Sequence, residues 1–181
     1  MAQRLDFRVD IEEAIKTLNL SSDDFRLVSL HEYEEILVST LERFTTLGKK
    51  GLNYSYWWSS FKEPSCSIHL EYAPDILKEL VPLEETVWFV AEDWKRTKQH
   101  GNFWLYEGEI AVIADLIGEM YRFEYYIVSK KFEWLLGEDR HGILIGVGQS
   151  MTEKIEYLKS NRENIKSVHL DRFQTTSKII G

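Results

Sequence analysis

Thr86-Val87-Trp88-Phe89-Val90-Ala91-Glu92 opens the stretch, running to Gly148, whose reading decides the fold. Val87, Phe89 and Ala91 alternate with Trp88 and Val90, which is the two-residue period of a strand. Four more short runs follow: Asn102–Tyr106, Phe123–Ser129, Phe132–Leu136 and Ile143–Val147. All are rich in the aromatic and β-branched residues that suit a pleated surface. Between the second and third lies Glu109–Met120, whose Ile110, Ile113, Leu116, Ile117 and Met120 share one helical face. A helix at that point makes a crossover and rules out a simple hairpin between its flanking strands. The stretch therefore predicts an α+β fold, a largely antiparallel sheet of about five strands with helices packed mainly on one face.

The same alternation sorts the two faces of that sheet. Phe123, Tyr125 and Ile127 oppose Tyr126 and Val128; Phe132, Trp134 and Leu136 oppose Glu133 and Leu135. One face is apolar throughout and calls for helices. The other is mixed, and Trp88, Trp104, Tyr126, Leu135 and Leu144 are candidates for it. Aromatic residues in strands are mostly core, so structural cover is expected there, with a binding surface as the alternative.

Outward from the sheet, the N-terminal half reads as helices. Asp10 and Glu13 form a capping-box pattern before Ile11, Ala14, Ile15 and Leu18. Ser29 and Glu32 repeat it ahead of a stripe of Tyr33, Ile36, Leu37, Thr40, Leu41, Phe44 and Leu47, with Gly48 placed to end the helix. Asn19–Asp24 reads as a polar turn and Phe25–Val28 as a short strand or extended link. Lys49–Ser67 is irregular and crowded with Tyr54, Tyr56, Trp57, Trp58 and Phe61. Pro74 and Pro82 bracket a short helix. Ser150 and Glu153 cap a C-terminal helix, and the tail from Ser167 is expected to add a strand or fray. The two N-terminal helices and the C-terminal one are expected to cover the sheet. No linker or internal repeat divides the chain, so one domain over residues 1–181 is expected.

Composition narrows the function classes. The chain has 181 residues, 44% of them hydrophobic, and no apolar run near the roughly 20 residues of a membrane span. Met1–Asp10 lacks the apolar segment of a signal peptide, and a single cysteine, Cys66, suits a reducing compartment. A cytoplasmic protein is expected. The net charge is −8, with five Lys/Arg against ten Asp/Glu in residues 1–47. Such a surface disfavours nucleic acid and favours solubility or a basic partner.

Motifs for chemistry are sparse. Gly146-Val147-Gly148 before a helix imitates a phosphate-binding turn, but Met151 stands where a dinucleotide fingerprint needs glycine. The five histidines are scattered, no close metal-ligand spacing occurs, and Cys66 lacks a cysteine partner, so neither metal nor organic cofactor is expected. Gly137-Glu138-Asp139-Arg140-His141-Gly142 packs four ionisable groups into one turn. Glu138 or Asp139 with His141 has the makings of an acid–base pair, and Arg140 of an anion clamp. The plain alternative is turn chemistry. Glu92-Asp93 is a carboxylate pair of a kind common in acidic proteins.

Trp88-Phe89-Val90-Ala91-Glu92-Asp93 with Gly101-Asn102-Phe103-Trp104-Leu105-Tyr106-Glu107-Gly108, and Tyr125-Tyr126-Ile127-Val128 through Ile145-Gly146-Val147-Gly148, resemble a family of small uncharacterised bacterial proteins. The resemblance spans residues 55–160. Such proteins look like the immunity-type single domains that accompany toxins. Gly137 and Asp139-Arg140-His141 depart from the cysteine and Asn-His type turn of the resembling proteins, and no catalytic residue carries over. The resemblance implies a non-enzymatic module that binds a basic protein such as a toxin. The alternative is a small enzyme or ligand-binding protein with its site at the 93–101 and 137–142 loops. Candidate binding residues across the two readings are Trp57, Trp58, Trp104, Glu138, Asp139, Arg140 and His141.

Overall fold

The computed structural model describes residues 7–93, 101–120 and 123–176, the segment 163–176 as main chain only. Among the described residues seven antiparallel strands make one sheet: β1 (Phe25–Leu27), β2 (Ser65–His69), β3 (Thr86–Glu92), β4 (Phe103–Glu109), β5 (Tyr125–Ser129), β6 (Leu135–Glu138) and β7 (Ile143–Val147). Their order across the sheet is β1-β4-β3-β5-β6-β7-β2. The α+β class is as the sequence predicts, with two further strands drawn from the N-terminal half. Helix α4 (Ile110–Glu119) carries the chain from β4 over β3 to β5, the expected crossover.

Helices lie mainly on one face. Residues of α1 (Phe7–Thr17), α3 (Ala73–Leu80), α4 and α5 (Gln149–Thr176) pack there with Phe89, Tyr106, Ile127 and Leu136. On the other face, α2 (Leu30–Phe44) and two 3-10 helices, Gly48–Asn53 and Trp57–Ser60, cover Trp88, Val90, Tyr126, Val128 and Leu135. The second face is thus covered by structure, as the aromatic content favoured. The two N-terminal helices do not share a side: Ile11 and Ala14 join one core, Leu37, Leu41 and Phe44 the other.

Strand register explains which residues fall where. Trp88, Val128, Leu135 and Val147 stand in one cross-strand row of the α2 face, and Val90, Leu105, Tyr126 and Gly137 in the next. Trp104 pairs with Ala91 and Leu144 with Ile68, which puts both on the α1 face, opposite to the expectation. Phe132 is not in a strand. It takes a left-handed φ of 53° in the turn before β6 and folds back on Trp88, their centroids 4.9 Å apart.

Several helix ends also differ from the sequence reading. Helix α1 is already formed at Phe7, so Asp10 is a first-turn acid and not a cap. Ser29 does begin α2, with its hydroxyl donating to Glu32 at 3.0 Å. The helix stops at Phe44, and Gly48 opens the first 3-10 helix, three residues beyond Thr45. Helix α5 runs through Ser167 to Thr176, where the sequence suggested a strand or frayed tail. The loop expected at Asp93–Gly101 lies, for residues 94–100, outside the described residues.

Candidate functional site

A third row completes the α2 face at the end of the sheet where β3 stops and β5 begins. It holds Glu92, opposite Phe103, and Glu124, whose carbonyl accepts from Glu92 N–H at 3.2 Å. Two residues before Tyr126 along an extended chain, Glu124 lies on the same side. The two acids are brought to one rim because both neighbouring strands reach the same sheet edge in register.

Each acid has different surroundings. The Glu92 carboxylate accepts from Tyr126 Oη at 2.6 Å and from Tyr56 N–H at 3.0 Å. Tyr56 holds a left-handed φ of 61°, and that conformation aims its N–H at the acid as the chain enters the Trp57–Ser60 turn. Burial raises the Tyr126 phenol far above its ordinary range, so it remains a donor to Glu92. Glu124 is less satisfied: its Oε1 and the Trp58 Nε1 are buried and near one another but make no well-formed hydrogen bond. Burial, then the charge of Glu92, pushes the Glu124 carboxyl up to about 7, against the opposing pull of Arg140 and the Trp58 indole. Arg140 itself lies 5.7 Å from the Tyr56 ring, and Tyr56 is 5.9 Å from Trp58.

Packing beneath holds this rim in place. Trp57 is fully buried, stacks on Tyr126 at 4.9 Å and donates from Nε1 to Gly51 O at 2.9 Å. Gly137 sits under the Tyr126 ring, where a Cβ would meet Cδ1 at 2.8 Å. The ring therefore lies close against the strand and its hydroxyl reaches Glu92.

The residues proposed from sequence divide. Trp58 and Arg140 come together at the rim with Glu92 and Glu124, neither of which was chosen. Trp57 supports the rim from the core, so it is not a surface anchor. Trp104 is 2% exposed on the opposite face and donates to Asp93 at 3.1 Å; it too is core. Glu138 is turned to that opposite face, where it accepts from Tyr125 Oη beside a cavity of about 100 Å3. Asp139 is 5% exposed and accepts from the N–H groups of His141 and Ile143 at 2.8 and 2.9 Å. It shapes the turn, and His141 is exposed with no carboxylate bonded to its ring among the described residues. The acid–base pair expected within 137–142 is not assembled. The signal for the rim was Glu124-x-Tyr126 on a strand running beside one that ends in Glu92.

The phosphate-like turn is also accounted for. Strand β7 is flanked by antiparallel neighbours, and Gly148 N–H donates to Pro64 O at 3.1 Å. That removes the parallel strand–helix–strand unit a dinucleotide site requires. Among the described residues no group of His, Cys, Asp and Glu is arranged to hold a metal, and no helix is long and apolar enough to cross a membrane.

Residues 3–159 match a family of unknown function, DUF6756. The chain belongs to this family. The DUF6756 match takes in all seven strands and every residue of the rim, so rim and sheet fall within one family unit. No curated protein and no solved structure matches the chain.

Proposed function

We propose that the protein is a non-enzymatic binding module that takes a lysine or arginine side chain of a basic partner, such as a toxin, at the Glu92–Glu124 rim. The observation that carries this reading is a carboxylate pair sharing one partly buried site, in which burial, and then the charge of Glu92, pushes the Glu124 carboxyl up to about 7. A cation entering there gains two ionic contacts and relieves the repulsion between the acids. Tyr56 and Trp58 offer ring faces to the same side chain. The net charge of −8 supports steering of a cationic protein, and added salt slows that association. A cytoplasmic setting and a partner made by the same cell belong to this proposal.

The test uses lysine- and arginine-bearing peptides with Trp58 as reporter. The expected result is a shift of its indole N–H resonance, lost in the Glu92→Gln/Glu124→Gln double variant. Binding is also expected to weaken about tenfold from pH 8 to pH 6, as a carboxyl with a pKa of about 7 takes up its proton. Peptides that leave the Trp58 resonance unmoved at every pH would sink the reading.

A second reading, a small enzyme or ligand-binding protein, is favoured by the same carboxyl. A group near pKa 7 is suited to general acid–base work, and Arg140 stands beside it to hold an anionic substrate. It is distinguished by the ligand that moves Trp58: a small anion in place of a cationic peptide.

A further inference from the structure

The last strand of the sheet, β2, ends in an open edge. Leu70 N–H donates to Gly142 O, and Gly148 N–H to Pro64 O, so the even-numbered residues face β7. Antiparallel alternation then turns the N–H and C=O groups of Ser67 and His69 outward, and both residues are exposed. Among the described residues nothing pairs with them. The outward N–H of Ser65 is covered by the Glu63 carboxylate at 2.8 Å, leaving its carbonyl. Beside this edge runs a groove of about 720 Å3, bounded by Glu71, Tyr72, Lys159 and Arg162. Ser65-Cys66-Ser67-Ile68-His69 carries no lysine, proline or bulge, the usual devices that blunt an edge.

We infer that β2 pairs with β2 of a second copy of this chain, antiparallel about a two-fold axis at Ser67, making one continuous sheet. Three observations select a second copy as the occupant. The edge is self-complementary: Ser67 N–H and C=O meet those of the other Ser67, and His69 N–H meets the free Ser65 carbonyl. The small serine at the axis lets the strands approach without crowding. On the α1 face, half-buried Cys66 lands opposite Ile68 and extends the apolar layer across the seam.

Helix α5 supplies a further one. It packs over β7 and β2, with Met151 and Ile155 against Gly146. With strands about 4.8 Å apart, continuing the sheet places the two α5 helices about 10 Å apart, an ordinary helix-packing distance. Lys154 reaches back to Leu80 O on the α3 side, which leaves the exposed Glu156 and Lys159 on the other flank of the helix, with Lys159 at the groove beside Ser67 and His69. The helices run antiparallel about the axis, so Lys159 of each copy comes beside Glu156 of the other.

Sedimentation velocity on the full chain from 1 to 200 μM tests this. The expected result is a concentration-dependent dimer. Ser67→Pro removes an N–H that the β7 ladder does not use, so its melting temperature is expected to hold while the dimer dissociation constant rises at least tenfold. Lys159→Glu weakens the dimer, and Glu156→Lys combined with Lys159→Glu restores it, independently of how Ser67→Pro folds. A chain monomeric at every concentration overturns the inference. A dimer indifferent to both sets of variants overturns it equally.

Discussion

Glu124 shows how a single side chain can be both costly and useful. Its folded-state pKa of about 7 lies above the ordinary value of 4.5, so the folded protein binds more protons than the unfolded chain between those values. Stability from this group is present below pH 4.5 and is lost as pH rises through 7. Glu124→Gln is therefore expected to raise the melting temperature at pH 8 and to leave it unchanged at pH 4. The side chain is only partly buried, and the solvent that reaches it screens the effect to about 1 kcal/mol. Thermal melts of both proteins across pH 4–8 check the sign. Glu92→Gln acts differently, because Tyr126 and Tyr56 lose a charged acceptor while Glu124 loses the repulsion; the Glu124 pKa is expected to fall, as a carboxyl resonance titration would read. None of this was legible in the residues alone. Glu92-Asp93 is an ordinary pair in an acidic chain, and Glu124 gains meaning only once β3 and β5 are known to be neighbours.

At the scale of elements, the sequence was most legible where periodicity was long and least where a turn depends on an unusual φ. Thr86–Glu92 and Ile143–Val147 are strands with the bounds their alternation predicts. Phe132–Leu136 alternates equally well, yet Phe132 is left-handed, its ring packs in a tilted contact on Trp88, and the strand begins only at Leu135. The β7–α5 junction is a second such point. Gly148 has φ +96°, and a Cβ there would lie 2.5 Å from Glu133 O. Main chain cannot yield as a side-chain tip can, and an L-residue is strained at that φ. Gly148→Ala is expected to cost on the order of 3 kcal/mol, read as a lower urea midpoint with an unchanged slope.

For the molecule as a whole, the question is what joins the two layers that sandwich the sheet to the rim at its end. The aromatic surplus at Tyr54–Phe61 left open whether those rings were exposed or buried, and no period in Lys49–Ser67 could decide it. The decision belongs to Trp57, which closes the α2 side by lying between Phe103, at 4.4 Å, and Tyr126, at 4.9 Å. Removing the ring opens a cavity that rigid strands beneath and a short 3-10 turn above cannot fill. Trp57→Ala is therefore expected to cost about 3–5 kcal/mol. Trp57→Phe keeps most of the apolar contact but leaves Gly51 O without its donor, at a smaller cost of about 1–3 kcal/mol. The two variants also separate stability from site geometry. Trp57→Ala frees Tyr126 to tilt, so its hydroxyl loses Glu92 and the environment that holds Glu124 near pH 7 relaxes. Trp57→Phe preserves the stack, and with it the raised pKa. Denaturation curves give the energies, and a titration of the Glu124 carboxyl in each variant gives the coupling. A Glu124 that titrates unchanged in folded Trp57→Ala would show that the rim is set by its own strands alone.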